Sequence, residues 1–478
     1  MRMRVERDSL GEREVPIDAY YGIQTRRASE NFPISGLRAH PRLISAMGMI
    51  KEAAARANSE LKLLDRRRAA AIRRAAREVM DGKWNAEFVV DVYQAGAGVS
   101  FHMNANEVIA NRAIEFLGGE KGDYELCDPN DHVNCSQSTN DVYPTAMRLA
   151  SVLLLDELFG AVAGLAKSFS RKASEFDRIL KSGRTHMMDA VPIRLGQEFA
   201  AYATAMRRCE CVLEYAAGLL KEVGLGGSAV GTGVNTHPKF QKLVVKYLSE
   251  ISGQALRPTD DLRYAMQSNL AMSVASSALR NLALELIRIS NDLRLLASGP
   301  NTGLAEIELP ALQPGSSIMP GKVNPVMAEL TAMVGFQAVG ADTVTAMAVQ
   351  AGQLELNVMM PAMAWNVLHA AEILKNTVHV LTTKCVDGIS ANEERCRYYA
   401  NATISIAAAL NPYIGYAAAA EIAKESVRTG RTVTEIALER KLHDEKTLRE
   451  ILDPMRMTTP ASPVRQALSR SNKNKRKR

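Results

Sequence analysis

The feature that most constrains this chain is the stretch from Thr259 to Ser298, which contains no glycine or proline between Pro258 and Gly299. Within it Leu262, Met266, Leu270, Met272, Val274, Leu279, Leu282, Leu284, Leu286, Ile287, Ile289, Leu293 and Leu296 recur at mixed intervals dominated by three- and four-residue steps. That is the pattern of a helix burying a broad apolar stripe. Forty helical residues would span about 60 Å. One small domain rarely supports such a rod, so the stretch predicts a long bundle shared between subunits. Similar periodicity predicts helices over 145–174, 194–223, 324–349 and 363–384, with shorter ones at 42–63 and 66–80. Only 5% of residues are aromatic, and the apolar fraction is rich in alanine, leucine and methionine, which favours helix over sheet. The short apolar run 88–92 reads as a possible strand.

The predicted fold class is therefore mainly all-α. A chain of 478 residues exceeds what one hydrophobic core serves. Three regions are expected: a mixed, mainly helical amino-terminal part over 1–140, a central helical bundle over 141–390, and a small helical carboxy-terminal part over 391–478 with a basic tail. Residues 470–478 carry six of the seven net positive charges. Without aromatic residues such a run reads as a solvated tail, and no specific nucleic-acid partner is expected. No uninterrupted apolar run reaches the roughly 18 residues of a membrane span, and the amino terminus lacks the apolar core of a signal peptide. A soluble, cytoplasmic protein with no membrane partner is expected. Six cysteines without a CxxC pair read as reduced thiols, and the histidines and cysteines do not cluster at ligand spacing, so neither metal nor cofactor is expected.

Chemistry concentrates in four separated blocks. The run GSSIMPGKVNP, 315–325, places Ser316, Ser317, Lys322 and Asn324 in one loop, where its glycines and prolines forbid a regular helix. Such a loop can close over an anion. GRTHMMDAVP, 183–192, holds Thr185 and His186, and Glu329 follows thirteen residues after Ser316. DPNDHVNCSQSTND, 128–141, ends in Ser138, Thr139 and Asn140 just before a long helix, whose amino end favours anions. QAGAGVSFHMNANEV, 94–108, carries Val99, Ser100 and His102.

Together these blocks resemble the aspartase/fumarase superfamily, lyases that eliminate ammonia, water or an amine from succinate-like substrates to leave fumarate. The resemblance runs from ERDSLGEREVPIDAYYGIQTRRASENF to the segment around AEIAKES. It implies a homotetramer in which five long helices per chain form a twenty-helix core. It implies that Ser316 is the catalytic base and that Ser317 contacts the carboxylate being converted. Lys322 and Asn324 would hold the other carboxylate, Thr185 and His186 would contact substrate, and Glu329 would hydrogen-bond His186. Ser138, Thr139 and Asn140 would donate to carboxylate and leaving group.

The wording DAYYGIQT, NDHVN and AGQLELNV favours the aspartase branch, whereas GTGVNTHPKF is closer to fumarases. Several positions depart from pattern: Val99 stands where threonine is usual, His102 where asparagine is, Asn301 where arginine is, and Met360 where aspartases carry glutamate. The threonine hydroxyl meets the substrate amino group in aspartases. Ammonia elimination from aspartate is therefore the expected reaction, with malate dehydration or loss of a substituted amine as alternatives.

Overall fold

The computed structural model describes residues 2–460. It is mainly helical, and its strands form only small two-stranded sheets among the described residues. Five helices have 25 residues or more: Thr139–Glu175, Leu195–Leu220, Leu270–Leu296, Val326–Gln350 and Met360–Lys384. Shorter helices include Pro41–Glu60, Arg66–Met80 and Val99–Leu117. The basic tail lies outside the described residues.

The chain divides into two compact units. One comprises the residues up to Val162, Arg208–Leu286 and Ala332–Thr377, and the other Ala163–Arg207, Ile287–Thr331 and the described residues from Val378 onward. The division falls within each of the five long helices. In the first unit, Lys375 donates to Glu157 at 2.8 Å and Arg280 pairs with Asp342 at 3.2 Å, tying long helices together. In the second, the Phe169 ring lies 6.2 Å from Phe199 and 5.6 Å from Tyr202, edge-on as aromatic quadrupoles prefer. A separate core of Ile406, Leu410, Ile422, Ile436 and Leu448 holds the carboxy-terminal helices.

Two secondary-structure expectations are corrected. The helix anticipated over 259–298 is two helices, Leu262–Gln267 and Leu270–Leu296. Ser268 is extended, at φ −103° and ψ 128°, and its Oγ accepts from the Leu270 N–H at 3.3 Å, starting the second helix. A polar cap of this kind interrupts a helix without any glycine or proline. Residues 88–92 form no strand; only an isolated bridge between Arg38 and Asp91 occurs there. The Asp91 carboxylate instead accepts from the Ser35 and Gly36 N–H groups, both at 2.8 Å.

The apolar-run argument against membrane spans is also too strong. The helices Thr139–Glu175, Leu270–Leu296 and Val326–Gln350 each contain an eighteen-residue window long and apolar enough to match a span. In Val326–Gln350 only 33% of that window is buried within the chain. Met333, Phe336, Val344 and Met347 lie exposed along one face of it, with Gly340 between them. Their spacing of three, eight and three residues keeps them on a single stripe.

Candidate active site

The four blocks fall into the two units. Val99, Ser100, Ser138, Thr139 and Asn140 belong to the first; Thr185, His186, Ser316, Ser317, Lys322, Asn324 and Glu329 belong to the second.

In the first unit, the helix Val99–Leu117 starts after Gly98, whose φ is +90°. A Cβ there would lie 2.3 Å from the Tyr143 ring, so only glycine fits. Val99 is 42% exposed and, with Ser100, lines a cleft also bounded by Gln24, Arg27 and Asp128. The helix Thr139–Glu175 begins with a reciprocal cap. Ser138 Oγ accepts from the Asn140 N–H at 3.3 Å, and Asp141 accepts from the Ser138 N–H at 3.0 Å. The buried Asp141 carboxylate also accepts from the Gly226 and Ser228 N–H groups at 3.0 and 2.9 Å, fastening the glycine-rich 224–235 loop to the helix start. Burial pushes Asp141 up to about 6, against the pull of those N–H groups and of Lys51. Asn140 Nδ2 donates to the Ala229 carbonyl at 2.8 Å.

Thr139 Oγ1 lies 2.7 Å from His102 Nδ1, and His102 Nε2 lies 2.6 Å from Lys51 Nζ. Lys51 and His102 are buried. Burial pulls both groups well below their ordinary ranges; the Asp141 carboxylate opposes this for Lys51, while Lys51 adds to it for His102. Sequence reasoning missed Lys51 and Asp141. Lys51 had a signal: it falls four residues after Met47 and three before Ala54, on a face of Pro41–Glu60 that also buries Ile44.

In the second unit, Thr185 and His186 stand at the end of a hairpin formed by Leu180–Thr185 and Met188–Arg194. Thr185 pairs with Met188, leaving His186 and Met187 as a two-residue turn at φ 57° and 63°. Two successive positive φ values suit such a turn but are costly without glycine or asparagine. The hairpin was not legible in the sequence for that reason. Its first strand is anchored along its length by buried ion pairs. Arg184 reaches Glu306 at 2.9 Å, and Lys181 reaches Glu306 at 3.2 Å and Glu198 at 2.8 Å. Thr403 and Ser405 donate to the Ala190 and Asp189 carbonyls at 3.0 and 2.9 Å. The anchored tip presents Thr185 and His186 exposed.

The 315–325 loop closes on itself. The Gly315 N–H donates to the Lys322 carbonyl at 2.7 Å, and Asn324 Nδ2 donates to the Gly315 carbonyl at 2.8 Å. A Cβ on Gly315 would lie 2.8 Å from the Lys322 carbonyl oxygen, so this approach also requires glycine. Ser316 Oγ accepts from the Ile318 and Met319 N–H groups at 3.2 and 2.9 Å. Two N–H donors aimed at one hydroxyl oxygen stabilise negative charge on it, as a serine acting as base requires. Ser317 and Lys322 are exposed, and Lys322 has no ion pair among the described residues. Within one chain no hydrogen bond joins His186 to Glu329, which opens the helix Val326–Gln350. Among the described residues no group of three or more histidine, cysteine or acidic side chains is placed to hold a metal ion, and none of the six cysteines is in a disulfide.

A lyase family model matches residues 11–340, and the fumarase C carboxy-terminal model matches 406–459. The chain is 49% identical to an aspartate ammonia-lyase of Bacillus subtilis over 96% of each chain. It is 46% identical to the aspartate ammonia-lyase of Escherichia coli, over 96% of this chain and 97% of that one. Among solved structures, a Brucella melitensis protein described as a fumarate lyase:delta crystallin bound to cobalt shares 49% identity at a TM-score of 0.93, over 96% of this chain and all of that one. A class II fumarase from Schistosoma mansoni shares 35% identity, with the same TM-score and coverage. Matched over most of its length by that lyase model and by aspartate ammonia-lyases at nearly half identity, this chain belongs to the aspartase/fumarase superfamily.

Proposed function

We propose that this protein reversibly eliminates ammonia from L-aspartate to give fumarate. The observation that carries the reading is the Ser316 hydroxyl, held by two backbone N–H donors in a self-closed loop beside an unpaired lysine. Ser316 Oγ, already deprotonated and held as the alkoxide by its two N–H donors, takes the proton from the carbon next to the side-chain carboxylate and returns to the hydroxyl. The electron pair left behind moves into that carboxylate, giving an aci-carboxylate that Ser317 contacts. The pair then returns to form the double bond, and the carbon–nitrogen bond breaks with its electrons leaving on neutral ammonia. Lys322 and Asn324 hold the second carboxylate. Thr185 and His186, with Glu329 behind the histidine, and Ser138, Thr139 and Asn140 complete the contacts. Neither metal nor cofactor takes part.

The enzyme is a cytoplasmic homotetramer in which different chains complete each site. The exposed Met333–Phe336–Val344–Met347 stripe supports this, because an apolar face of that length seeks a partner helix. The three-region plan divided at about 140 and 390 goes with it. Two chains inactivated separately, His186→Ala and Lys322→Ala, should regain activity when mixed under subunit exchange. A monomer at micromolar concentration would refute the assembly.

A second reading is favoured by Val99, which puts methyl groups where a hydroxyl would meet an amino group: water or a substituted amine is then the leaving group. The deciding experiment incubates the protein with fumarate, with and without ammonium, and separates aspartate from malate. Aspartate formed only with ammonium supports the first reading; malate as the dominant product in both overturns it.

A further inference from the structure

Lys51, His102 and Thr139 form an unbroken polar chain inside the first unit. The buried Lys51 Nζ has three neighbours: His102 Nε2 at 2.6 Å, and Asn134 Oδ1 and Gln137 Oε1, both at 3.0 Å. The orientations of the two amides are set by their other bonds. Asn134 Nδ2 donates to the Gln137 carbonyl at 3.2 Å, and Gln137 Nε2 donates to the Val133 and Cys135 carbonyls at 3.1 and 3.0 Å. Both amide oxygens therefore face the lysine. Burial favours the neutral amine, but three acceptors around one nitrogen suit the ammonium, which has three protons and no lone pair. Asp141, buried in the same region, supplies the opposite charge.

With Lys51 donating, His102 Nε2 must accept, and the ring proton of the neutral imidazole sits on Nδ1. Nδ1 then donates to Thr139 Oγ1 at 2.7 Å. That bond occupies a lone pair of the threonine and leaves its own proton unused, since Oγ1 has no second partner among the described residues. We propose that Lys51 and His102 are positioning residues that present the Thr139 hydroxyl as a hydrogen-bond donor to the bound dicarboxylate. The proposal rests on the reading of Thr139 as a substrate contact. It also accounts for histidine where the superfamily usually has asparagine, because an amide passes on the same polarity, accepting through oxygen and donating through nitrogen.

The test measures the Kd of succinate, a dicarboxylate that cannot react, on the assembled protein. His102→Leu and Thr139→Val should each weaken binding about tenfold, the worth of one hydrogen bond to a charged group. The double variant should bind no worse than Thr139→Val alone, since the two act through one contact. His102→Asn should recover most of what His102→Leu loses. If Thr139→Val weakens binding while His102→Leu does not, or if His102→Asn recovers nothing, the positioning role fails and the Thr139 contact stands. If Thr139→Val leaves the Kd unchanged, the contact fails and the positioning role with it. Ring-15N-histidine NMR of the unmutated protein tests the tautomer should His102→Leu not assemble. A His102 signal protonated at Nδ1 and bare at Nε2 supports the proposal, and the reverse overturns it.

Discussion

At the amino end of the Thr139–Glu175 helix the polar side chains are already partnered within their own chain: Ser138 with Asn140 and Asp141, Thr139 with His102, and Asn140 with Ala229. The hairpin tip and the 315–325 loop are built differently. Their backbones are fixed, by ion pairs from the first strand of the hairpin and by internal hydrogen bonds in the loop, yet His186 and Lys322 have no side-chain partner among the described residues. One region has its side chains set before any ligand or second chain arrives, and the other offers a fixed backbone with free heads. Changes in the first should spread through neighbours, whereas changes in the second should delete one function cleanly.

Ser316→Ala puts the largest weight on that contrast. It should lower turnover at least about a hundredfold, the ordinary cost of losing a general base, with assembly and thermal midpoint unchanged. Retention of more than about a tenth of turnover would remove Ser316 as the base.

The partnered region answers to pH through stability. Asp141 is raised from 3.8 to about 6 mainly by burial, so the folded state holds its proton more tightly than the unfolded state. Its contribution is complete below about pH 4 and is lost as pH rises through about 6, by up to about 3 kcal/mol. Asp141→Asn should flatten that part of the denaturation-versus-pH curve relative to the parent; parallel curves would contradict the assignment.

Val99→Thr sharpens the comparison at the cleft. With ammonia as the leaving group, it should improve aspartate turnover or affinity by about tenfold, and by no more than the roughly hundredfold limit of one charge-assisted hydrogen bond. Malate turnover in the parent well above aspartate turnover would overturn the aspartase reading. The smallest effect belongs to the capping box at Thr432 and Glu435, far in sequence from the four blocks. Thr432→Ala should cost about 1 kcal/mol of stability and leave turnover unchanged.

The sequence made some elements plain and hid others for physical reasons. The helix Arg66–Met80 was legible to the residue, since Asp65 caps it and apolar positions recur through it. The break at Ser268 was hidden, because a serine that ends one helix and starts another looks the same in sequence as one inside a helix. The hairpin was hidden by a turn built from His186 and Met187 rather than glycine or asparagine. The residues of the 315–325 loop could be listed from sequence, but the two N–H groups on Ser316 Oγ are backbone atoms that every residue carries. Lys51 was overlooked because a single lysine is ordinarily a surface residue.

In the assembly proposed above, the stripe of Met333, Phe336, Val344 and Met347 would give the protein a memory of its concentration. On that proposal a newly made chain with its face bare meets its own kind in competition with a chaperone, a membrane or a misfolded neighbour, so yield should depend on how fast chains are produced as well as on how stable the product is. Dilution after assembly and dilution before it then lead to different outcomes. Diluted first, chains stall as singles with the stripe in water. Diluted afterwards, the same number of chains persists as finished particles, because separation must first wet the whole stripe.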